Sequence, residues 1–258
     1  MKLKQSIYYQ LWDYRNAILF YYGVVVALHL LMFLAFVIHG GHGAVYLSGG
    51  ISAFTGLFLF ICGMCCLHEI LPMSLQNGVS RKTMFLARLA VTGIVAAGMA
   101  VVDTFLCLAV DVSTLGRLFW ADDTSSLFLS VFGLAHSGFE DTAVATLLSI
   151  PYNFCLFVLV FALGYFLIVF FYRMPLRLRI VVAVCLVATI GPGQLLIKMV
   201  DALLLHNFLA DWFAPQLVYP VMDVIESNPF LNMGVWLLSA AALSGLTWLL
   251  LRKTVVRR

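Results

Sequence analysis

The sequence carries few residues whose types and spacing could do chemistry. The histidines form neither an HExxH motif nor a Cys/His ligand set, and they are scattered along the chain: His29, His39, His42, His68, His136 and His206. His39 and His42 flank two glycines and could bind a metal weakly, but the pattern is more typical of a glycine turn. Phosphate-binding GxxxxGK(S/T) and nucleophilic GxSxG motifs are both absent. The sequence therefore predicts no catalytic residue, no metal site and no cofactor in this chain.

The cysteines all fall inside apolar runs, which argues against a disulfide framework. They are Cys62, Cys65, Cys66, Cys107, Cys155 and Cys185. Cys62 and Cys65 form a CxxC motif near His68, so a metal or redox site is one interpretation. No second pair completes such a site, and small apolar thiols suit helix packing. Helix packing is the favoured interpretation.

Two features inside apolar runs could line a substrate route. Asp103 lies about 22 Å along a helix from Arg88, counting about 1.5 Å per residue, and an ionisable group at that depth should face a bundle interior or water. It could contact a substrate or a proton there. The alternative is a side chain that bonds to a neighbouring hydroxyl or already lies near the outer water. Gly191, Pro192 and Gly193 interrupt another run, where a broken helix could line a route or simply bend.

The composition of the chain indicates a membrane protein, for which the lipid bilayer is the solvent. Of the 258 residues, 63% are hydrophobic and 10% are charged, whereas soluble domains carry about 25% charged residues. A soluble enzyme, a disordered chain and a secreted disulfide scaffold are excluded on this ground. A helical span needs about 20 mostly apolar residues, so we expect one all-α transmembrane domain covering residues 1–258.

Six apolar runs are long enough to span the membrane. They are Ala17–Ile38, Val45–Leu67, Leu89–Val112, Thr146–Phe171, Ile180–Met199 and Leu231–Leu251. With six spans, 13 of the 15 Lys and Arg residues fall on one side, and only Arg117 and Lys198 fall on the other. The positive-inside rule then predicts that both termini are cytoplasmic.

Segments outside the spans are expected to contact membrane lipid. Residues 1–16 have an apolar stripe and an aromatic set that predict an amphipathic interfacial helix. This helix is either an interfacial anchor or a docking site for a cytoplasmic partner. Residues 201–215 mix apolar and acidic side chains, which favours a helix at or dipping into the outer interface.

Two pairs of small residues inside the spans predict close packing between helices in the membrane. They are Gly93 with Ala97 and Ala241 with Gly245.

The most informative segment connects the second and third spans. Asn77-Gly78 is a turn signal, Ser80 can cap the next helix, and Arg81 and Lys82 suit the inner headgroup region. This pattern predicts a compact knob on a helical hairpin, suited to a groove on another protein. An ordinary basic loop that satisfies the positive-inside rule is the alternative.

The run Gln76-Asn77-Gly78-Val79-Ser80-Arg81-Lys82-Thr83 resembles the corresponding segment in permease subunits of bacterial ABC-2-type transporters. In that family an amphipathic helix precedes six spans, both termini are cytoplasmic, and outer re-entrant helices join spans five and six. Residues 1–16, the six runs and residues 200–230 match this order. The long outer stretch 113–145 departs from it. The resemblance implies that seven residues couple to an ATPase: Gln76, Asn77, Gly78, Val79, Ser80, Arg81 and Lys82.

The resemblance further implies an exporter in the bacterial cytoplasmic membrane. ATP and Mg would bind a separate cytoplasmic ATP-binding subunit, and a second permease copy or a sister permease would complete the membrane part. The expected cargo is a peptide, an antimicrobial or a lipid-like molecule, and no nucleic-acid partner is expected. The alternatives are a membrane-embedded enzyme, a scaffold or immunity protein that binds without transport, and an ion-coupled secondary transporter.

Overall fold

Five helices form the part of the chain that the computed structural model describes, which is residues 2–38, 50–76, 78–112, 142–175 and 228–252. They are α1 (Lys2–Ile38), α2 (Gly50–Gln76), α3 (Arg81–Val112), α4 (Thr142–Arg173) and α5 (Pro229–Arg252). By length and composition, α1, α3, α4 and α5 could each cross a membrane. The regular structure of the described residues is thus all-helical, and the four apolar helices indicate a multi-pass membrane protein.

Each of the five helices contains or overlaps a predicted span. The helices α1 and α3 cover the predicted spans Ala17–Ile38 and Leu89–Val112 in full, and the residues that follow each of these spans lie outside the described part of the chain. The predicted span Ile180–Met199 and the stretches 113–141 and 176–227 lie outside the described residues. The count of six spans and the side on which the termini lie stay predictions.

The N-terminal helix differs from the expectation of an interfacial helix followed by a separate span. Residues 2–38 form one continuous helix, with no break near residue 16. Neither glycine nor proline occurs between Lys2 and Tyr22, so no residue stops the helix. At about 1.5 Å per residue α1 is about 55 Å long, which exceeds the hydrocarbon thickness of about 30 Å. One part of α1 must therefore lie beyond the hydrocarbon region.

The core of the bundle lies where α1, α2 and α3 meet α4. Tyr14, Leu59, Val91, Met99 and Phe161, among others, form one buried cluster. The α4 helix contacts α2, α3 and α5, whereas α1 packs mainly along α3. The α4 helix is thus the central element of the described bundle.

Two glycines allow α2 and α4 to cross in backbone contact. A Cβ atom added at Gly63 would lie 2.7 Å from the Phe161 carbonyl oxygen and 3.2 Å from the Gly164 Cα. A Cβ atom added at Gly164 would overlap the Phe60 carbonyl oxygen and lie 3.3 Å from the Gly63 Cα. Small residues that let helix backbones approach are typical of membrane helix crossings.

The two predicted small-residue pairs do not mark crossings of the described helices. No atom of the described chain lies within 4 Å of a Cβ added at Gly93 or Gly245. Ala241 and Gly245 instead line a groove of about 480 Å³, together with Trp248 and residues of α3 and α4. A small residue permits close approach, but a crossing also needs a matching gap on the neighbouring helix, as Gly63 and Gly164 provide for each other.

Candidate functional site

The turn between α2 and α3 lies where the sequence predicts it. The α2 helix ends at Gln76, and α3 begins at Arg81. Gly78 has a φ of 63°, a left-handed conformation that glycine adopts without steric cost. Asn77 lies outside the described residues. The predicted turn is confirmed at Gly78.

Ser80 caps α3, as the sequence predicts. Its Oγ accepts a hydrogen bond from the backbone N–H of Thr83 at 3.2 Å. Its carbonyl oxygen accepts the first helical bond, from Met84 N at 3.0 Å. The Thr83 hydroxyl lies 2.8 Å from the same Ser80 Oγ. The start of α3 is thereby fixed directly beside the turn.

Removing this cap is expected to weaken the hairpin. Ser80→Ala should lower the free energy of unfolding by about 1 kcal/mol, because one backbone N–H at the start of α3 loses its acceptor. Ser80→Thr keeps a hydroxyl and serves as the control. Thermal unfolding in detergent, followed by circular dichroism, compares the two variants. Equal stability of the alanine and threonine variants would contradict the cap.

The turn is seated on the ends of α4 and α5. Val79 packs against a buried cluster that includes Phe85, Tyr165 and Leu251. Arg81 Nη1 donates to the Arg252 carbonyl oxygen at 3.4 Å. The remaining turn residues Gly78 and Ser80, and Lys82 after them, are exposed. The segment therefore presents polar groups outward on an apolar base built by three helices.

Asp103 is at the centre of a polar cluster inside the bundle. The residue is 0% exposed, and its Oδ1 accepts a hydrogen bond from the Tyr22 hydroxyl at 2.9 Å. The same hydroxyl lies 3.4 Å from the Met99 carbonyl oxygen. The Tyr21 hydroxyl lies 2.6 Å from Thr55 Oγ1, which brings α2 into the cluster. Of the two interpretations of Asp103, the bond to a neighbouring hydroxyl is observed.

The second oxygen of the Asp103 carboxyl group differs from the first in its hydrogen bonding. Asp103 Oδ2 is buried and has no hydrogen-bond partner among the described residues. No cation of the described chain forms an ion pair with this carboxyl group either. A buried carboxylate is costly unless it is paired and hydrogen-bonded. If Asp103 were ionised, Oδ2 would therefore be a buried charged oxygen without a hydrogen-bond donor among the described residues.

Arg88 forms a second polar centre, which the sequence interpretation assigned only to the basic side of the membrane. It is 2% exposed, and its guanidinium donates to the Tyr14 hydroxyl. The guanidinium carbon lies 4.7 Å from the centre of the Phe161 ring and 5.7 Å from that of Tyr165. Tyr14 in turn donates to the Cys62 carbonyl oxygen at 3.4 Å. Arg88 therefore joins α1, α3 and α4 through cation–π contacts and a hydrogen bond.

The two cysteines of the CxxC motif, Cys62 and Cys65, lie in different environments. Cys62 is buried in the core, whereas Cys65 is exposed. Within the described residues no group of three His, Cys, Asp or Glu side chains could hold a metal ion.

The predicted break in the fifth span lies outside the described residues. Its residues, Gly191, Pro192 and Gly193, are the ones that the sequence predicts to line a substrate route.

The protein is thus a helical membrane protein. It has a capped hairpin at one end of the bundle and a buried carboxyl group, that of Asp103, inside the bundle. No family model, curated protein or solved structure matched the chain. The features of the chain that bear on its function are the hairpin, Asp103 and the sequence resemblance.

Proposed function

We propose that this chain is the membrane-spanning subunit of an ATP-driven exporter of the ABC-2 type. Its hairpin turn would contact a separate cytoplasmic ATP-binding subunit, and a second permease copy or a sister permease would complete the transporter. The observation that carries the proposal is the seating of the turn, with Gly78, Ser80 and Lys82 exposed and Val79 packed inward. The resemblance of residues 76–83 supports the same assignment.

The contacts of the turn with the ends of α4 and α5 support a mechanism in which the turn transmits a movement of the ATP-binding subunit to the membrane helices. ATP and Mg bind the partner subunit, and closure of that subunit moves the turn. Val79 and Arg81 carry this movement to the ends of α4 and α5. Val79 packs against the cluster that contains Tyr165 of α4 and Leu251 of α5, and Arg81 donates to the Arg252 carbonyl oxygen. Such coupling requires the turn to make different contacts in two global states of the transporter.

The distribution of charge supports a cytoplasmic position for the turn. Arg81 and Lys82 begin α3, while Arg173 and Arg252 lie in the last turns of α4 and α5. The contacts of Val79 and Arg81 bring these helix ends to one end of the bundle. Under the positive-inside rule this end faces the cytoplasm, in the cytoplasmic membrane of a bacterium.

Direction and cargo follow from the resemblance alone. It favours export of a peptide, an antimicrobial or a lipid-like molecule. Of the alternative functions, an ion-coupled transporter is favoured by one observation, the buried carboxyl group of Asp103.

Copurification tests the proposal. Affinity purification in mild detergent from cells that express the chain with its neighbouring genes should recover a soluble protein with Walker ATPase motifs. Lys82→Glu should reduce that recovery about tenfold, which corresponds to about 1.4 kcal/mol of lost binding free energy. The variant should fold, since a carboxylate is favourable in the first turn of a helix.

Arg173→Glu is the matched control for this charge reversal. Arg173 is also exposed and ends α4 at the same end of the bundle, but it lies outside the turn. Recovery of the ATPase should be nearly unchanged in this variant. Equal losses in the two variants would contradict a contact through the turn, and a wild-type chain that purifies without an ATPase would overturn the proposed function.

A further inference from the structure

Asp103 has a property that ATP-driven coupling through the turn does not explain. It is a fully buried carboxyl group in a helix that could cross the membrane. Ionisable side chains at such positions are costly and are commonly found along ion or proton pathways. The question is which ligand this carboxyl group would bind.

The two oxygens of the carboxyl group have different surroundings. Oδ1 accepts a hydrogen bond from the Tyr22 hydroxyl on α1, and the Thr55 hydroxyl on α2 also interacts with the group. Oδ2 is buried with no partner in the described chain. Among the described residues, the titratable groups near the cluster are Tyr21 and Tyr22 on α1 and Cys107 on α3 itself. None of these supplies a positive charge.

A metal ion fits this arrangement poorly. Hard cations such as Ca²⁺ take 6–8 oxygen ligands, commonly from several carboxylates, and the described residues contain no group of three His, Cys, Asp or Glu side chains that could hold a metal ion. A proton needs only one free oxygen. Oδ2 supplies that oxygen, while the hydroxyl bond to Oδ1 is compatible with both the neutral and the charged group.

We propose that Asp103 is a proton-binding site within the membrane domain. Oδ2 of the carboxylate takes one proton from a hydronium ion, which becomes water, and the group becomes the neutral carboxylic acid. When the O–H bond breaks, the proton returns to a water molecule as hydronium and the carboxylate is restored. This inference goes beyond the proposed transport function and does not depend on an ATPase partner.

Proton binding at this site would control the contact between α1 and α3. In the neutral form Asp103 is buried without an uncompensated charge, and its bond to Tyr22 joins the two helices. In the ionised form only hydroxyl donors of the described residues face the charge, so water entry between α1 and α3 becomes favourable. The site thus links proton uptake to the closure of this part of the bundle.

Infrared difference spectroscopy on the purified chain in lipid tests the site directly. Spectra recorded in mildly acidic and mildly alkaline buffer should differ by one carbonyl band of a protonated carboxyl group. Asp103→Asn should remove this band. Tyr22→Phe should shift the band, because the carbonyl oxygen loses a hydrogen-bond donor while the ring is retained.

Asp13→Asn is the matched control, since Asp13 is an exposed carboxyl group on α1, and it should leave the Asp103 band in place. Asp103→Glu keeps a carboxyl group and should move the band, so the test does not depend on the asparagine variant folding. The proposal is overturned if neither substitution at Asp103 alters a band of a protonated carboxyl group. It is equally overturned if the Asp103 band is the same in both buffers.

Discussion

Gly164→Ala is expected to destabilise the bundle by at least about 2 kcal/mol, which is within the range for overpacked protein cores. The added methyl group would overlap the Phe60 carbonyl oxygen and press on the Gly63 Cα at 3.3 Å. Both neighbours are backbone atoms, so neither can move aside by changing a rotamer. The α2 and α4 helices would have to separate, and the packing around Leu59 and Phe161 would loosen with them.

The matched control for this substitution is Gly93→Ala on α3. Nothing in the described chain lies within 4 Å of its Cβ position, and alanine is favoured over glycine in a helix by about 1 kcal/mol. Thermal unfolding in detergent should therefore shift in opposite directions for the two variants. If Gly164→Ala and Gly93→Ala behaved alike, the crossing of α2 and α4 at Gly63 and Gly164 would be wrong.

The consequence of this crossing extends beyond local stability. Helices in a bilayer gain little hydrophobic free energy by associating, so close packing has to hold them together. The α4 helix contacts α2, α3 and α5, and its last turns also support the hairpin through Tyr165 and Val169. A shift of α4 at Gly164 would therefore alter the base on which the proposed ATPase contact rests.

Features that depend on nearby sequence could be predicted from the residues alone. The helical conformation of residues 17–38 and 89–112 follows from the length of the apolar runs. The cap by Ser80 and the turn at Gly78 follow from residues that satisfy or permit local backbone geometry. Each of these features is decided by residues of the same helix or turn, so no knowledge of neighbouring helices was needed.

Features that depend on which helices are neighbours could not be predicted in this way. Gly63 and Gly164 are 101 positions apart, and nothing in either sequence context indicates that they meet. The same limit applies to Arg88, which the positive-inside rule counts as a basic residue near the membrane surface. Its burial against Phe161 and Tyr165 appears only when α4 packs beside α3.

Removing the hydroxyl group that binds Arg88 is expected to have the second largest effect on stability. Tyr14→Phe should cost about 2 kcal/mol, since hydrogen bonds to charged groups contribute about 1.5–3 kcal/mol. The substitution keeps the ring that packs on Phe161 at a centroid distance of 6.1 Å. It removes the acceptor for the guanidinium and the donor to the Cys62 carbonyl oxygen.

A double-mutant cycle separates the charged interaction from the other contacts of Tyr14. In an Arg88→Met background the charge is gone, so Tyr14→Phe should cost only about 1 kcal/mol, the middle of the range for a neutral hydrogen bond. Tyr8→Phe on the exposed face of α1 is the control and should be nearly neutral in both backgrounds. Additive losses for the Tyr14 and Arg88 substitutions would mean that the hydroxyl does not stabilise the buried guanidinium. A coupling of about 1 kcal/mol or more is expected, because the bond between these side chains ties the long N-terminal helix to α3 within the bundle.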